Sequence, residues 1–207
     1  MKFLKNFVII CLLILLNINI AFSANIKKEL RFYQQIKLPY SSNQLKKYYY
    51  WNKFNEILIS ADNKTPLKFS EQNFFIQPKS VSHEDYCYHK GVFYFPIMYF
   101  KFNKFIYTGI IYMAFGNNDD HIFTFRLNSY DPDGKPIDAI VLDERYSEEG
   151  EVLVWNDFTI EANGKILVNQ KEKLLIDAGL SDFKKGEIKS KKSQYQMTKM
   201  GLFKKLK

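Results

Sequence analysis

The sequence predicts an α+β fold that is mainly β: an antiparallel β-meander with a short N-terminal helical region. Three observations carry this. His121, Phe123, Phe125 and Leu127 alternate with Ile122, Thr124, Arg126 and Asn128, the period of two that a strand imposes. Turn chemistry recurs between apolar runs, at Asp131-Pro132-Asp133-Gly134 and at Asn163-Gly164. Before Pro66 the period changes: Tyr50, Phe54, Ile57, Leu58 and Ala61 fall on one stripe of a helix. With 19 Phe and 14 Tyr, most of the chain must bury surface, which excludes disorder, and 9 Gly and 6 Pro exclude collagen-like architectures.

Residues 1–23 read as a secretory signal peptide. Lys2 and Lys5 precede an uncharged apolar run from Phe7 to Leu16, and Ala21-Phe22-Ser23 places small residues where a signal peptidase reads them. Cleavage after Ser23 is expected to start the mature chain at Ala24 and to deliver it to the periplasm or the medium. The leader takes Cys11 with it, so Cys87 stands alone, and the fold must rest on its apolar core rather than on internal disulfides.

Residues 24–64 form an N-terminal region with one amphipathic helix, expected from Gln44 to about Ser60 with Asn43 as its cap. Tyr48-Tyr49-Tyr50-Trp51 suits a stacking platform for sugars or bases, but reads better as the packed face of that helix. Arg31 to Pro39 is ambiguous between helix and strand, and Pro39 ends it.

Residues 65–207 form the antiparallel β domain. Gly91–Phe102 and Phe105–Phe115 are two aromatic and β-branched runs joined at Asn103-Lys104, with Pro96 marking an edge or a bulge. Gly116 to Asp120 makes the next turn, and the alternating strand from His121 follows. Ile137–Leu142 is one more strand, and Asp157–Ala162 with Lys165–Gln170 flank Asn163-Gly164 as a type I′ hairpin. Gln194–Met200 adds a last strand, and Leu202-Phe203 closes the edge.

The formal net charge of +8 is concentrated at the end, where Lys184 to Lys207 hold nine Lys against one Glu. A basic C-terminal tail, mobile through about Lys192, is expected. It fits weak contact with an anionic membrane better than a nucleic-acid groove, which needs a basic face on a folded surface, and a merely solubilising role better still.

Ile36-Lys37-Leu38-Pro39-Tyr40, the Tyr-Asp-Pro-Asp-Gly-Lys-Pro-Ile-Asp core of Phe125–Leu142, and Tyr195–Phe203 together resemble segments of uncharacterised exported bacterial β-rich proteins. The resemblance implies a β-rich exported domain and carries no functional residues across.

Candidate chemistry is sparse. His83, Cys87 and His89 share one side of an extended segment and suit Zn²⁺ or copper, with the Met98 thioether as a further donor, but neither a Cys-x-x-Cys nor a His-x-x-x-His pair is present. Asp131-x-Asp133-Gly134 fails as a calcium loop, because Pro136 and Leu142 stand where Gly and a bidentate Glu are needed. Asp143, Glu144, Glu148, Glu149 and Glu151 are expected together in one solvated loop, without the contrasting environments that separate an acid from a base. No Gly-x-Ser-x-Gly elbow and no Gly-rich phosphate loop occur in the sequence. No catalytic, cofactor-binding or metal residue is therefore assigned. The expected function is that of an exported, non-catalytic protein binding a protein partner in the cell envelope, such as an inhibitor or toxin-neutralising module, its acidic 143–151 loop facing a basic partner. The alternative is a small exported metal-binding protein or enzyme using His83, Cys87 and His89.

Overall fold

A computed structural model describes residues 26–60, 94–115, 121–176 and 184–206. The expected leader, the turn expected at Gly116–Asp120 and the 61–93 segment lie outside the described residues. The chain opens with the short helix α1 (Ile26–Glu29), a 3-10 helix (Leu30–Phe32), β1 (Gln34–Gln35), β2 (Tyr40–Ser41), and a second 3-10 helix (Ser42–Tyr48). The strands β3 (Tyr49–Trp51) and β4 (Ile57–Ile59) follow. Then come β5 (Tyr94–Phe102), β6 (Phe105–Phe115), β7 (His121–Tyr130), β8 (Pro136–Glu148), β9 (Val152–Ile160), β10 (Lys165–Leu174), β11 (Ile188–Met197) and β12 (Phe203–Lys205). The fold is mainly β.

Strands β5 to β12 lie side by side in chain order, each antiparallel to the next. The sheet is nevertheless mixed, not a pure antiparallel meander. β1 adds to the edge of β5 in parallel, Gln34 opposite Met98, and β2 pairs with β9. Two residues of β1 have no room for an apolar pattern, so periodicity could not announce this pairing. Pro96 sits beside a register shift in the β5–β6 ladder, as its missing N–H requires.

Where a helix was expected across Gln44–Ser60, the chain instead makes the 3-10 helix and the β3–β4 hairpin. Ser41, not Asn43, starts the 3-10 helix: its backbone N–H and its hydroxyl both reach Oε1 of Gln44, a capping box. The break comes at Asn52. Its N–H donates to the Glu56 carbonyl, its Oδ1 accepts from the N–H groups of Phe54 and Glu56, and Asn55 adopts φ 60°. The helical stripe was accidental: Ile57 is buried, whereas Tyr50 and Phe54 are exposed.

The same turn recurs three times. At Asp131–Lys135, Glu161–Lys165 and Thr198–Leu202, the first residue's N–H donates to the fifth residue's carbonyl, and the fourth residue's N–H donates back to the first. The fourth residue is Gly134, Gly164 or Gly201, each with φ between 78° and 88°. These are three-residue loops ending in a left-handed residue. The hairpin at Asn163-Gly164 forms as expected, but on this loop rather than a two-residue type I′ turn.

Both faces of the central strands are covered. Tyr107, Ile111, Phe123, Phe125 and Leu127 face one cluster, closed by Tyr40, Leu45, Ile57, Phe158, Ile160, Ile166 and Phe203. Ile106, Ile110, Tyr112, Ile122 and Tyr130 face a second, packed by Ile26 and Tyr33 from the N-terminal region. The sheet turns a corner at β8. Leu142 is an extra residue in the β7–β8 ladder, and β8 pairs with β9 only over Arg145–Glu148. Beyond this corner the later strands return over the first cluster, where Phe158 stacks on Phe125 at 5.2 Å and Tyr107 meets Phe203 edge-on.

Two further expectations change. β8 runs through the supposed acidic loop, so Asp143 and Glu144 are fully buried in a strand, and only Glu148, Glu149 and Glu151 are exposed around its end. The basic segment is not a tail: Ile188–Met197 forms β11, so its lysines sit on a folded surface.

Candidate functional site

The β10–β11 and β9–β10 registers place Asp157, Asn169 and Lys192 in one row across three strands, with Thr159, Leu167 and Gln194 in the next. Ser41, Ser42, Asn43 and Lys46, carried by β2 and the 3-10 helix, rise along one side of these rows. Together they enclose an open groove of about 540 Å³. The pairing of β2 with the end of β9 fixes this wall: Tyr40 is buried against Phe125 and Phe158, and Leu45 is fully buried.

One acid in the groove is rigidly held. Asp157 Oδ2 accepts from Lys171 Nζ at 2.8 Å, and its Oδ1 accepts from Arg145 Nη2 at 3.2 Å and, at 3.5 Å, from the Ser42 hydroxyl. Partial burial pushes its carboxyl up, but Lys171 and Arg145 outweigh that and hold it below the usual carboxylate range. Arg145 is itself tied down. Its Nη2 donates to Asp143 Oδ2 at 3.0 Å and to the Asn156 carbonyl at 3.0 Å, and the guanidinium lies 4.8 Å from the Tyr49 ring centre. Behind it, Asp143 is fully buried; desolvation pushes it up to about 7 against the pull of Arg145. Lys171 also lies 5.9 Å from the Trp155 ring centre, next along the same sheet face.

The groove thus presents a fixed anion, Asp157, and two exposed cations, Lys46 and Lys192, among hydroxyls and amides. This suits recognition of a polar surface. Asp143, Arg145, Asp157 and Lys171 make ion pairs and hydrogen bonds among themselves, and the Ser42 hydroxyl donates to Asp157.

Of the residues singled out in the sequence, His83, Cys87 and His89 lie outside the described residues. Met98, their supposed thioether partner, is buried in the first apolar cluster. Among the described residues, no three His, Cys, Asp or Glu side chains are grouped to hold a metal ion, and no helix is long and apolar enough to cross a membrane. The tyrosine cluster is divided: Tyr49 packs on Phe123 at 4.9 Å, while Tyr50 is exposed. Asp157, Asn169, Lys171 and Lys192 were missed: a two-residue turn at Asn163-Gly164 would set Asp157 opposite Gln170, whereas the three-residue loop sets it opposite Asn169.

Comparison of the chain with known protein families, curated proteins and solved structures finds no match.

Proposed function

We propose that this is an exported, non-catalytic binding protein whose β9–β11 groove receives part of another macromolecule in the cell envelope, in the manner of an inhibitor or toxin-neutralising module. The observation that supports it most is the fixation of Asp157 by Lys171 and Arg145. Binding sites gain affinity when a recognition group is already immobilised, because its ordering cost is met by the fold. The groove floor stands on three hydrogen-bonded strands, the kind of rigid support that a binding surface needs.

The test is site-specific crosslinking. A photo-reactive residue at Asn169, in the groove floor, is expected to trap a discrete partner in intact cells. The same group at Lys135, on the distant β7–β8 turn, is expected to trap none. Equal trapping at both positions, or at neither, overturns the groove as the contact surface. Intact-mass measurement of envelope protein is expected to find Ala24 as the first residue; a species retaining Met1 counts against export with cleavage.

A further inference from the structure

β12 covers only one end of β11. Its ladder runs from Tyr195 opposite Lys205 to Met197 opposite Phe203, and Leu206 then donates to the Gln194 carbonyl. Since that carbonyl points away from β10 and backbone groups alternate along a strand, the N–H and C=O of Ser190 and Lys192 also point outward. No described strand pairs with them, and Ile188 to Lys192 are all exposed.

Charged side chains, lysine above all, are one way in which edge strands are kept from joining a copy of themselves, and Lys189, Lys191 and Lys192 fit that role here. A second copy laid along this edge would set lysine beside lysine. The same charges favour an acidic chain. Lys189 and Lys191 project on one face of the sheet, while Ile188, Ser190 and Lys192 project on the other, Ile188 being 54% exposed. Lys204 and Lys205 of β12 extend the positive field beyond the open segment.

We propose that the open edge of β11, from Ile188 to Ser193, takes up an extended acidic segment of a protein partner by strand addition. Acidic side chains at alternate positions would lie beside Lys189 and Lys191, and β-branched side chains between them would lie beside Ile188 and Ser190. Main-chain hydrogen bonds would supply the attachment and the alternate side chains the selectivity. This deepens the groove reading and rests on it, since Lys192 belongs to both the edge and the groove floor.

The probe is a synthetic capped peptide, Glu-Val-Glu-Thr-Glu-Val, titrated into the full mature chain at two salt concentrations. It is compared with the same peptide N-methylated at alternate residues, in two versions that block either edge, and with vesicles containing anionic lipid. Strand addition requires that one methylated version bind at least about tenfold more weakly than the parent. It also requires that Ser190→Pro, which removes one outward N–H, produce a similar loss. A proline is tolerated where its N–H would face solvent, and an unchanged thermal unfolding midpoint confirms that this variant still folds. Equal binding by all three peptides, or binding to the vesicles alone, would mean that only the lysine charges attract, and would overturn strand addition. Crosslinking at Asn169 reports the groove separately: a partner trapped there while the peptide fails rejects the edge and leaves the groove standing.

Discussion

Asp143 and Arg145 stand two residues apart on β8 and share a buried ion pair, Oδ2 to Nη2 at 3.0 Å. The strand's alternation makes this possible, since residues i and i+2 face the same side. Arg145 also reaches Asp157 across the β8–β9 corner, so one guanidinium joins the first half of the sheet to the groove. Removing it strands a buried carboxylate. Arg145→Met is therefore expected to cost about 3–5 kcal/mol, and the double variant Asp143→Leu, Arg145→Met markedly less. Urea unfolding of the three proteins checks this; a double variant no more stable than Arg145→Met would show that the pair is not the source of the loss.

Glu144 points to the opposite face, where neither carboxylate oxygen has a hydrogen-bond partner among the described residues. Desolvation pushes it from an ordinary 4.5 up to about 8. The folded protein then keeps a proton that the unfolded chain has released, so this contribution to stability is complete below about pH 4.5 and is lost as pH rises to about 8. Asp143 acts in the same direction but only up to about 7. Stability is expected to fall between pH 7 and 8 by about 1 kcal/mol, and Glu144→Gln is expected to flatten that step. A step of equal size in the variant would assign it to another group.

The β3–β4 hairpin gives opposite expectations for one substitution. Asn55 holds φ 60°, which glycine adopts freely, so Asn55→Gly is expected to raise stability by a few tenths of a kcal/mol, up to about 1. In the helix expected from the apolar spacing, the same change would instead lower stability by a similar amount. The sign of the shift in thermal midpoint decides between them.

That contrast shows why some of the molecule was legible and some was not. Strands β5, β6, β7, β9 and β10 were readable because each has a period or composition of its own and ends in recognisable turn chemistry. The Gln44–Ser60 stretch misled because five apolar residues happened to fall at helical spacing, while the side-chain hydrogen bonds of Asn52 carry no hydropathy signal. Asp143 and Glu144 looked solvated because a run of acids ordinarily is. Their burial follows from β8 continuing past Leu142, which no local pattern dictates. The lysines of β11 read as a tail because an edge strand can be almost wholly polar. The groove floor was out of reach: a two-residue turn at Asn163-Gly164 would set Asp157 opposite Gln170, and only the three-residue loop sets it opposite Asn169 and diagonal to Lys171. Its wall was hidden too, because β2 joins β9 across more than a hundred residues.

Gly164 combines two constraints. Its φ of 82° is strained for any side chain, and a Cβ there would lie 2.6 Å from Cζ of Phe102. Phe102 ends β5, so a side chain at Gly164 would push apart the two halves of the curled sheet. Gly164→Val is expected to cost more than a lone left-handed position does, about 2–4 kcal/mol. Pairing it with Phe102→Ala should recover the part due to the clash. An unchanged melting temperature in the single variant would remove the hairpin from the account.

Asp138 anchors the strand that ends the β11 ladder. Its Oδ1 accepts from the N–H of Ala139 at 2.9 Å, and its Oδ2 accepts from that of Phe203 at 2.8 Å, both in buried surroundings. Phe203 is itself 1% exposed and lies against Tyr107, so a ring and a carboxylate fasten β12 in addition to its short ladder with β11. Replacing the carboxylate leaves a buried N–H without its acceptor, a loss of about 1–3 kcal/mol. Asp138→Ala is therefore expected to lower global stability by that amount and to accelerate amide exchange at Phe203 more than at core positions such as Phe125. The segregation is the informative part. β12 pairs with β11 only over Tyr195–Met197, so without Asp138 it should detach before the sheet unfolds, lengthening the open edge from Ile188 towards Met197. Uniform acceleration at both positions would mean that β12 has no separate opening and that Asp138 stabilises the sheet only as a whole.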